Sequence, residues 1–180
     1  VGTMTEITDY MKLLWPHIAR LHCRQCGKIV QKDPPQAIWA GLRERAPGQE
    51  ILITFELPLS EKLGIEESLG LLARQGYQRL LLTGGPEPTI LRVDEALAAL
   101  SKQTPPTLTV IQDRIRVEES NRARFVEACE QAYHFGKGKL CLRSLPGWQT
   151  ERFSNRLHCA ECDLEYREPS PALLRVPYHR

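Results

Sequence analysis

Apolar and polar positions along this chain change period several times, and the changes predict a succession of short elements. Residues 3–20 place Ile7, Tyr10, Met11, Leu14 and Ile18 on one helical face. Thr3 or Thr5 is the expected cap of that helix, and Pro16 is expected to kink or end it early. After the Asp33-Pro34-Pro35 break, QAIWAGLRER reads as a short helix that stops near Pro47-Gly48. ILITFEL, at 51–57, is a β-rich apolar run bounded by Pro58. IEESLGLLARQG is an amphipathic helix ending at Gly76, and QRLLLTG is a second strand running into a Gly84-Gly85-Pro86 turn. ILRV leads into a helix, VDEALAAL, and the Thr/Pro-rich SKQTPPT separates it from the alternating strand TLTVIQDRIRVEE. In SNRARFVEACEQAYHFG, Ser120 is the expected cap, Phe125, Cys129, Ala132 and Tyr133 face inward, and Gly136 is the stop. KLCLRSL and TERFSNRLHC read as closing strands, and the Pro-rich tail EPSPALLRVPYHR as extended chain.

Strands that partly alternate with helices and partly follow one another predict an α/β (α+β) fold. Its sheet is expected to be mixed, largely antiparallel, with helices packed on one or both faces. The 180 residues suffice for one ordinary domain with a smaller appendage. Apolar residues at 42% and charged residues at 26% describe a globular chain rather than a disordered one. VGTMTEITDY lacks the basic and apolar regions of a leader, and no run approaches the roughly 20 apolar residues of a membrane span, so a cytoplasmic location is expected. The missing initiator Met predicts a piece of a longer protein.

Cysteine spacing changes the picture most. LHCRQCGK carries Cys23 and Cys26, and NRLHCAECDL carries Cys159 and Cys162. A CxxC turn aims two thiolates at one ion, and two such turns complete the tetrahedron that zinc prefers. Gly27, directly after the first pair, suits a turn with positive φ; Asp163 holds that place in the second pair, where it is tolerated less well. The rival readings are unpaired surface thiols, a redox CxxC, and iron in a rubredoxin-like site. A redox pair of the thioredoxin kind should open a helix after a strand, whereas the first pair follows a helix. Four thiolates leave no open position, so one structural zinc ion joining the chain ends is expected. Closing so long a loop restricts the unfolded chain by roughly 4–5 kcal/mol on the chain-entropy model. His22 and His158 precede the pairs but are not needed as ligands, and Cys129 and Cys141 are expected to pack in the core.

Formal net charge is +2, and a zinc-loaded thiolate site brings it to about zero, which excludes a strongly basic nucleic-acid binder. LTGGPEPT and FGKGKL match no phosphate-binding loop. Neither a Ser-His-Asp set nor HExxH is present, and catalysis has little support. Arg74 and Arg79 flank Tyr77 at a helix-to-strand junction. Arg and Tyr are favoured at protein interfaces, although an ordinary exposed edge would look the same. Arg114 and Arg116 are open to the same two readings. A second functional reading is a zinc-stabilised DNA-contacting element using Arg20, Arg24, Lys28 and Arg156.

VGTMTEITDYMKLLW, CRQCG, LARQGYQRL, IQDRIRVEE and ERFSNRLHCAECDLEYREPSPAL follow one another in an order that resembles the UvrA family, damage-recognition ATPases of bacterial nucleotide excision repair. The resemblance covers nearly the whole chain. It implies a non-catalytic module: 1–30 as helix and first zinc knuckle, 31–155 as an inserted UvrB-binding domain, and 156–180 as second knuckle and extended tail. It also implies zinc on Cys23, Cys26, Cys159 and Cys162, and a UvrB-docking role for Arg79. The Walker and signature motifs of an ABC-type ATPase lie outside this chain. ATP binding, DNA contact and homodimerisation are therefore expected only of a full-length parent. Two segments depart from the family pattern: ITFELPLSEKLG is short and acidic-leaning where the family is longer and basic, and the tail after Leu173 diverges.

Overall fold

The run Ile51–Phe55 is buried at five consecutive positions because it forms the centre of a sheet with both sides occupied. In the computed structural model, which describes residues 2–59, 64–83, 87–100, 105–159 and 161–168, this strand is β1 (Glu50–Pro58). The other strands of its sheet are β2 (Arg79–Leu82), β3 (Thr89–Arg92), β4 (Thr107–Arg116), β5 (Lys139–Leu145) and β6 (Thr150–Ser154). Their order is β3-β2-β4-β1-β5-β6, and every pair is antiparallel. The sheet is thus antiparallel throughout, in line with the largely antiparallel sheet expected of this α/β chain.

The chain divides into two compact units, Asp33–Arg156 and Val1–Lys32 with Leu157–Arg180. In the larger unit α2 (Pro35–Arg45), α3 (Ile65–Arg74), α4 (Val93–Leu100) and α5 (Arg122–Phe135) all bury their apolar stripes in one cluster. That cluster includes Ile51, Ile53, Phe55, Leu80, Val110, Leu140 and Leu142, alternate residues of the strands, so the four helices share one face of the sheet. Trp39 of α2 meets Phe125 of α5 with ring centroids 5.0 Å apart. Leu52, Leu81 and Ile111 point to the other face, where Ile90, Leu145 and Trp148 pack against them. A bulge between Ile53 and Thr54 lets Leu52 oppose Arg114 while Thr54 opposes Ile111.

Cys129 and Cys141 are buried as expected, and burial pushes both thiols up, away from ionisation. Ser120 is not the cap of α5. A 3-10 turn, Glu119–Asn121, precedes the helix, and Asn121 occupies the cap position without capping it, its Nδ2 donating instead to Arg116 O at 3.0 Å. Gly136 does end α5, but at φ −81 rather than in the left-handed region. Space explains the glycine instead: a Cβ there would lie 2.1 Å from the carbonyl oxygen of Lys139. The positive φ angles fall at Lys137 and Gly138.

Where the chain enters and leaves this unit, Asp33 N–H donates to Ser154 O at 2.7 Å, and Ser154 N–H donates to Asp33 Oδ2 at 3.1 Å. Tyr133 Oη–H adds a 2.8 Å bond to Asp33 O. The two crossings are thus held side by side by the unit's own hydrogen bonds.

In the smaller unit α1 (Gly2–Ile18) starts before Thr3 and Thr5 and runs past Pro16. Pro16 stands two residues from the end of this helix, so the helix continues only briefly beyond it. Ile7, Tyr10, Leu14 and Ile18 stand exposed on it. No helix among the described residues is long and apolar enough to cross a membrane. The Gly84-Gly85-Pro86 turn, most of SKQTPPT and the Pro-rich tail lie outside the described residues.

Candidate metal centre

Both cysteine pairs are built as the same backbone hairpin. In the first, Val30 N–H donates to Leu21 O at 2.8 Å, Cys23 N–H donates to Lys28 O at 2.8 Å, and His22 bridges Ile29. In the second, β7 (His158–Cys159) pairs with β8 (Leu164–Glu165), and Tyr166 N–H donates to Leu157 O at 2.7 Å. The residue after each second cysteine is left-handed: Gly27 at φ 71 and Asp163 at φ 53. Asp tolerates that region better than most residues. Here its carboxylate also lies 2.7 Å from Nε2 of the buried His158. The first hairpin carries an equivalent contact, His22 Nδ1 to Gly27 O at 2.9 Å. Both histidines therefore brace the turns rather than join the ligand set.

The Sγ atoms of Cys23, Cys26, Cys159 and Cys162 all lie within 4.8 Å of one another, and Cys26 and Cys159 approach to 3.6 Å. A tetrahedral ion with bonds of ~2.3 Å needs sulfur separations of ~3.8 Å, so the four thiols lie close enough together to hold one metal ion such as zinc. All six cysteines are free thiols. Cys23 and Cys159 are buried with Val30, against Leu21, Leu157, Cys162, Leu164 and Tyr166. Cys26 is exposed.

Polar bonds link the two hairpins. Tyr166 Oη–H donates to Cys23 Sγ at 3.4 Å and accepts from Arg24 N–H at 2.9 Å. Chiefly through that hydroxyl, the Cys23 thiol is lowered to about 6, which favours the thiolate a metal requires. Cys162 is pushed up to about 12, first by loss of hydration and then by its bonds to the other thiols. One readily formed thiolate in Cys23 beside a reluctant Cys162 is what close thiols produce without a cation. Lys28 Nζ reaches Glu161 at 2.8 Å, and Lys32 Nζ reaches Glu168 at 2.5 Å.

Tyr166 escapes a reading by motif because it stands where the first hairpin has Val30. Of the residues considered for DNA contact, Lys28 is paired with Glu161, Arg20 and Arg24 are exposed in the smaller unit, and Arg156 is the last residue of the larger one. Arg74, at the end of α3, and Arg79, at the start of β2, are both exposed. Tyr77 between them is 9% exposed, packed edge-on against Phe55 and Phe135, with its hydroxyl donating to Gln112 Oε1 at 3.0 Å. Its ring belongs to the core and offers a partner little surface.

The family model for the UvrA interaction domain matches residues 35–145. The chain is 30% identical over 173 residues to UvrABC system protein A of Aquifex aeolicus, covering 96% of this chain and 18% of that protein. With the same protein of Streptomyces avermitilis identity is 31% over 176 residues, covering 95% of this chain and 17% of the relative. With that of Thermus thermophilus it is 30% over 181 residues, covering 99% and 19%. The chain thus spans about a fifth of the length of the curated relatives it matches. It belongs to the UvrA family, with residues 35–145 matching that family's interaction domain.

Proposed function

We propose that this chain is a non-catalytic docking module of a UvrA-type nucleotide excision repair protein. Residues 31–155 receive UvrB, and 1–30 with 156–180 form a neck held by one structural zinc. The match of residues 35–145 to an interaction domain carries this reading. Arg79 supports it physically: it is exposed and no carboxylate pairs with it among the described residues, so its guanidinium is available to an acidic partner. Cys23, Cys26, Cys159 and Cys162 would hold the zinc as four thiolates. The ion would supply a tetrahedral cross-link and no open position for chemistry. DNA contact, ATP turnover and homodimerisation fall, in this reading, to the rest of a full-length cytoplasmic protein.

Two measurements test it. Elemental analysis of the purified chain should return one zinc per molecule; reducible disulfides without metal would overturn the neck. Titration with UvrB from the same organism should give saturable binding that weakens as salt rises. Absence of binding at low salt would overturn the UvrB reading.

A further inference from the structure

The four clustered thiols differ in their access to solvent. Cys26 is exposed in the turn of the first hairpin, Cys162 is half-buried, and Cys23 and Cys159 are buried. The remaining two cysteines, Cys129 and Cys141, are buried in the larger unit. A small oxidant arriving from solvent therefore meets Cys26 first.

Behind Cys26 stands a second sulfur. Cys159 Sγ lies 3.6 Å from Cys26 Sγ and comes from the other hairpin, 133 positions further along the chain. Cys23, the nearer cysteine in sequence, is engaged elsewhere: its Sγ accepts from Tyr166 Oη–H at 3.4 Å and from Gln25 N–H at 3.5 Å. A disulfide within the CxxC turn would give up both bonds. The Lys28 ammonium, 2.8 Å from Glu161, is attracted to the Cys26 and Cys159 sulfurs when they are ionised, and so favours the reactive form of each. An exposed sulfur with a second one in contact behind it is how a thiol registers an oxidant: the first is oxidised and the second resolves it.

We propose that Cys26 is a modification site for hydrogen peroxide, with Cys159 as its resolving thiol, so that oxidation ties the two hairpins by a disulfide in place of a metal. The proposal rests on the neck reading above for the metal that is displaced, and on the thiol geometry alone for the pairing. The Cys26 thiolate attacks one peroxide oxygen; an S–O bond forms, the O–O bond breaks, and the departing hydroxide takes a solvent proton and leaves as water. The sulfur is oxidised by two electrons to a sulfenic acid as the peroxide is reduced. The Cys159 thiolate then attacks the Cys26 sulfur. The S–S bond forms, the S–O bond breaks, and the hydroxide released takes a second solvent proton. Two thiolates, one peroxide and two protons thus give one disulfide and two waters. Cys23 and Cys162 are left, half the sulfurs of a tetrahedral site, so a bound metal is released. The new bond joins the same two hairpins that the metal would join, whereas pairing within each CxxC turn would free them from one another.

The test uses the whole chain, purified under reducing conditions and then freed of reductant, with hydrogen peroxide as the probe. A colorimetric chelator follows metal release, and mass spectrometry of a non-reduced digest, after free thiols are blocked, maps the disulfides. Cys26–Cys159 should be the first cross-link, and zinc should be released in step with it. Cys26 should react at least about tenfold faster than Cys129 or Cys141. Cys23–Cys26 or Cys159–Cys162 as the first cross-link would overturn the pairing, and so would sulfinic acid accumulating on Cys26 without a cross-link. Zinc retained and Cys26 unmodified, at peroxide levels that oxidise free cysteine, would overturn the site. A chain purified with reduced thiols and no metal would overturn the zinc reading alone, and the same disulfide map would then decide the pairing.

Discussion

The hydroxyl of Tyr166 lies 3.4 Å from the Sγ of Cys23 and 2.9 Å from the amide of Arg24, joining the end of the second cysteine hairpin to the first. Through it a candidate metal ligand on one hairpin is oriented by a side chain of the other. Tyr166→Phe removes the hydroxyl and keeps the ring packed beside Leu157 and Leu164. It is expected to lower zinc affinity by roughly tenfold, as loss of a hydrogen bond behind a ligand commonly does. Competition with a colorimetric chelator measures this. A shift in the thiolate-to-metal band of the cobalt-substituted protein separates a direct effect on Cys23 from a loss of packing. An unchanged band and unchanged affinity would deny Tyr166 this positioning role.

Stripping the metal should affect the two units differently. Among its described residues the smaller one buries the apolar side chains of Cys23, Val30 and Cys159, two of them candidate ligands, so little core would remain without an ion. The larger one buries Trp39, Phe55, Phe125 and their neighbours independently of the cysteine pairs. Chelator treatment is expected to open residues 19–32 and 157–168 to protease while the fluorescence of buried Trp39 persists. Joint loss of both signals at one chelator concentration would contradict this.

Gly136→Ala should destabilise the larger unit by on the order of 3 kcal/mol. The added methyl would meet two backbone oxygens, Lys139 O at 2.1 Å and Ala132 O at 2.8 Å, neither of which can swing away as a side chain would. Gly70→Ala, inside α3 with open space around it, should be neutral or slightly stabilising. Denaturant midpoints of the two variants provide the comparison, and equal midpoints would refute the steric account.

The Glu50–Arg114 pair should leave a signature in acid. Arg114 holds the Glu50 carboxyl below its usual range, first through the hydrogen bonds and then through charge. A carboxylate with a depressed folded-state pKa stabilises above its unfolded pKa of about 4.3, and that contribution is lost as pH falls through the folded value. Glu50→Gln should therefore lower the melting temperature slightly at pH 7, and the difference should shrink below pH 4. The pair is partly exposed, so the effect stays small and fades with salt. A difference that grew on acidification would contradict the assigned direction.

Much of this architecture is legible in the chain itself. ILITF and TLTVIQDRIR are rich in β-branched residues, and RLLL is a short apolar run between a helix stop and a turn, so all three read as strands. The stripes of α3 and α5 fix which sides of those helices are buried. The CxxC pairs identify the candidate ligand set because thiols at that spacing can converge on one point. Local signals fail where a residue's neighbour is distant in sequence. Ser120 looks like a cap until the preceding 3-10 turn claims the position, and Gly136 looks like a left-handed stop until Lys139 O fills the space above it. Tyr77 reads as an interface residue between two arginines, yet Phe55 and Phe135 draw its ring inward.

The sequence by itself determined most elements, the candidate ligand set and the family, because each depends on spacing within a few residues or on order along the chain. Only the tertiary structure decided that all four helices of the larger unit lie on one side of the sheet. It alone brings Cys159 behind Cys26 and sets Tyr166 against Cys23. Those relationships come from antiparallel register and from the packing of separate hairpins, which place together residues that no local periodicity connects.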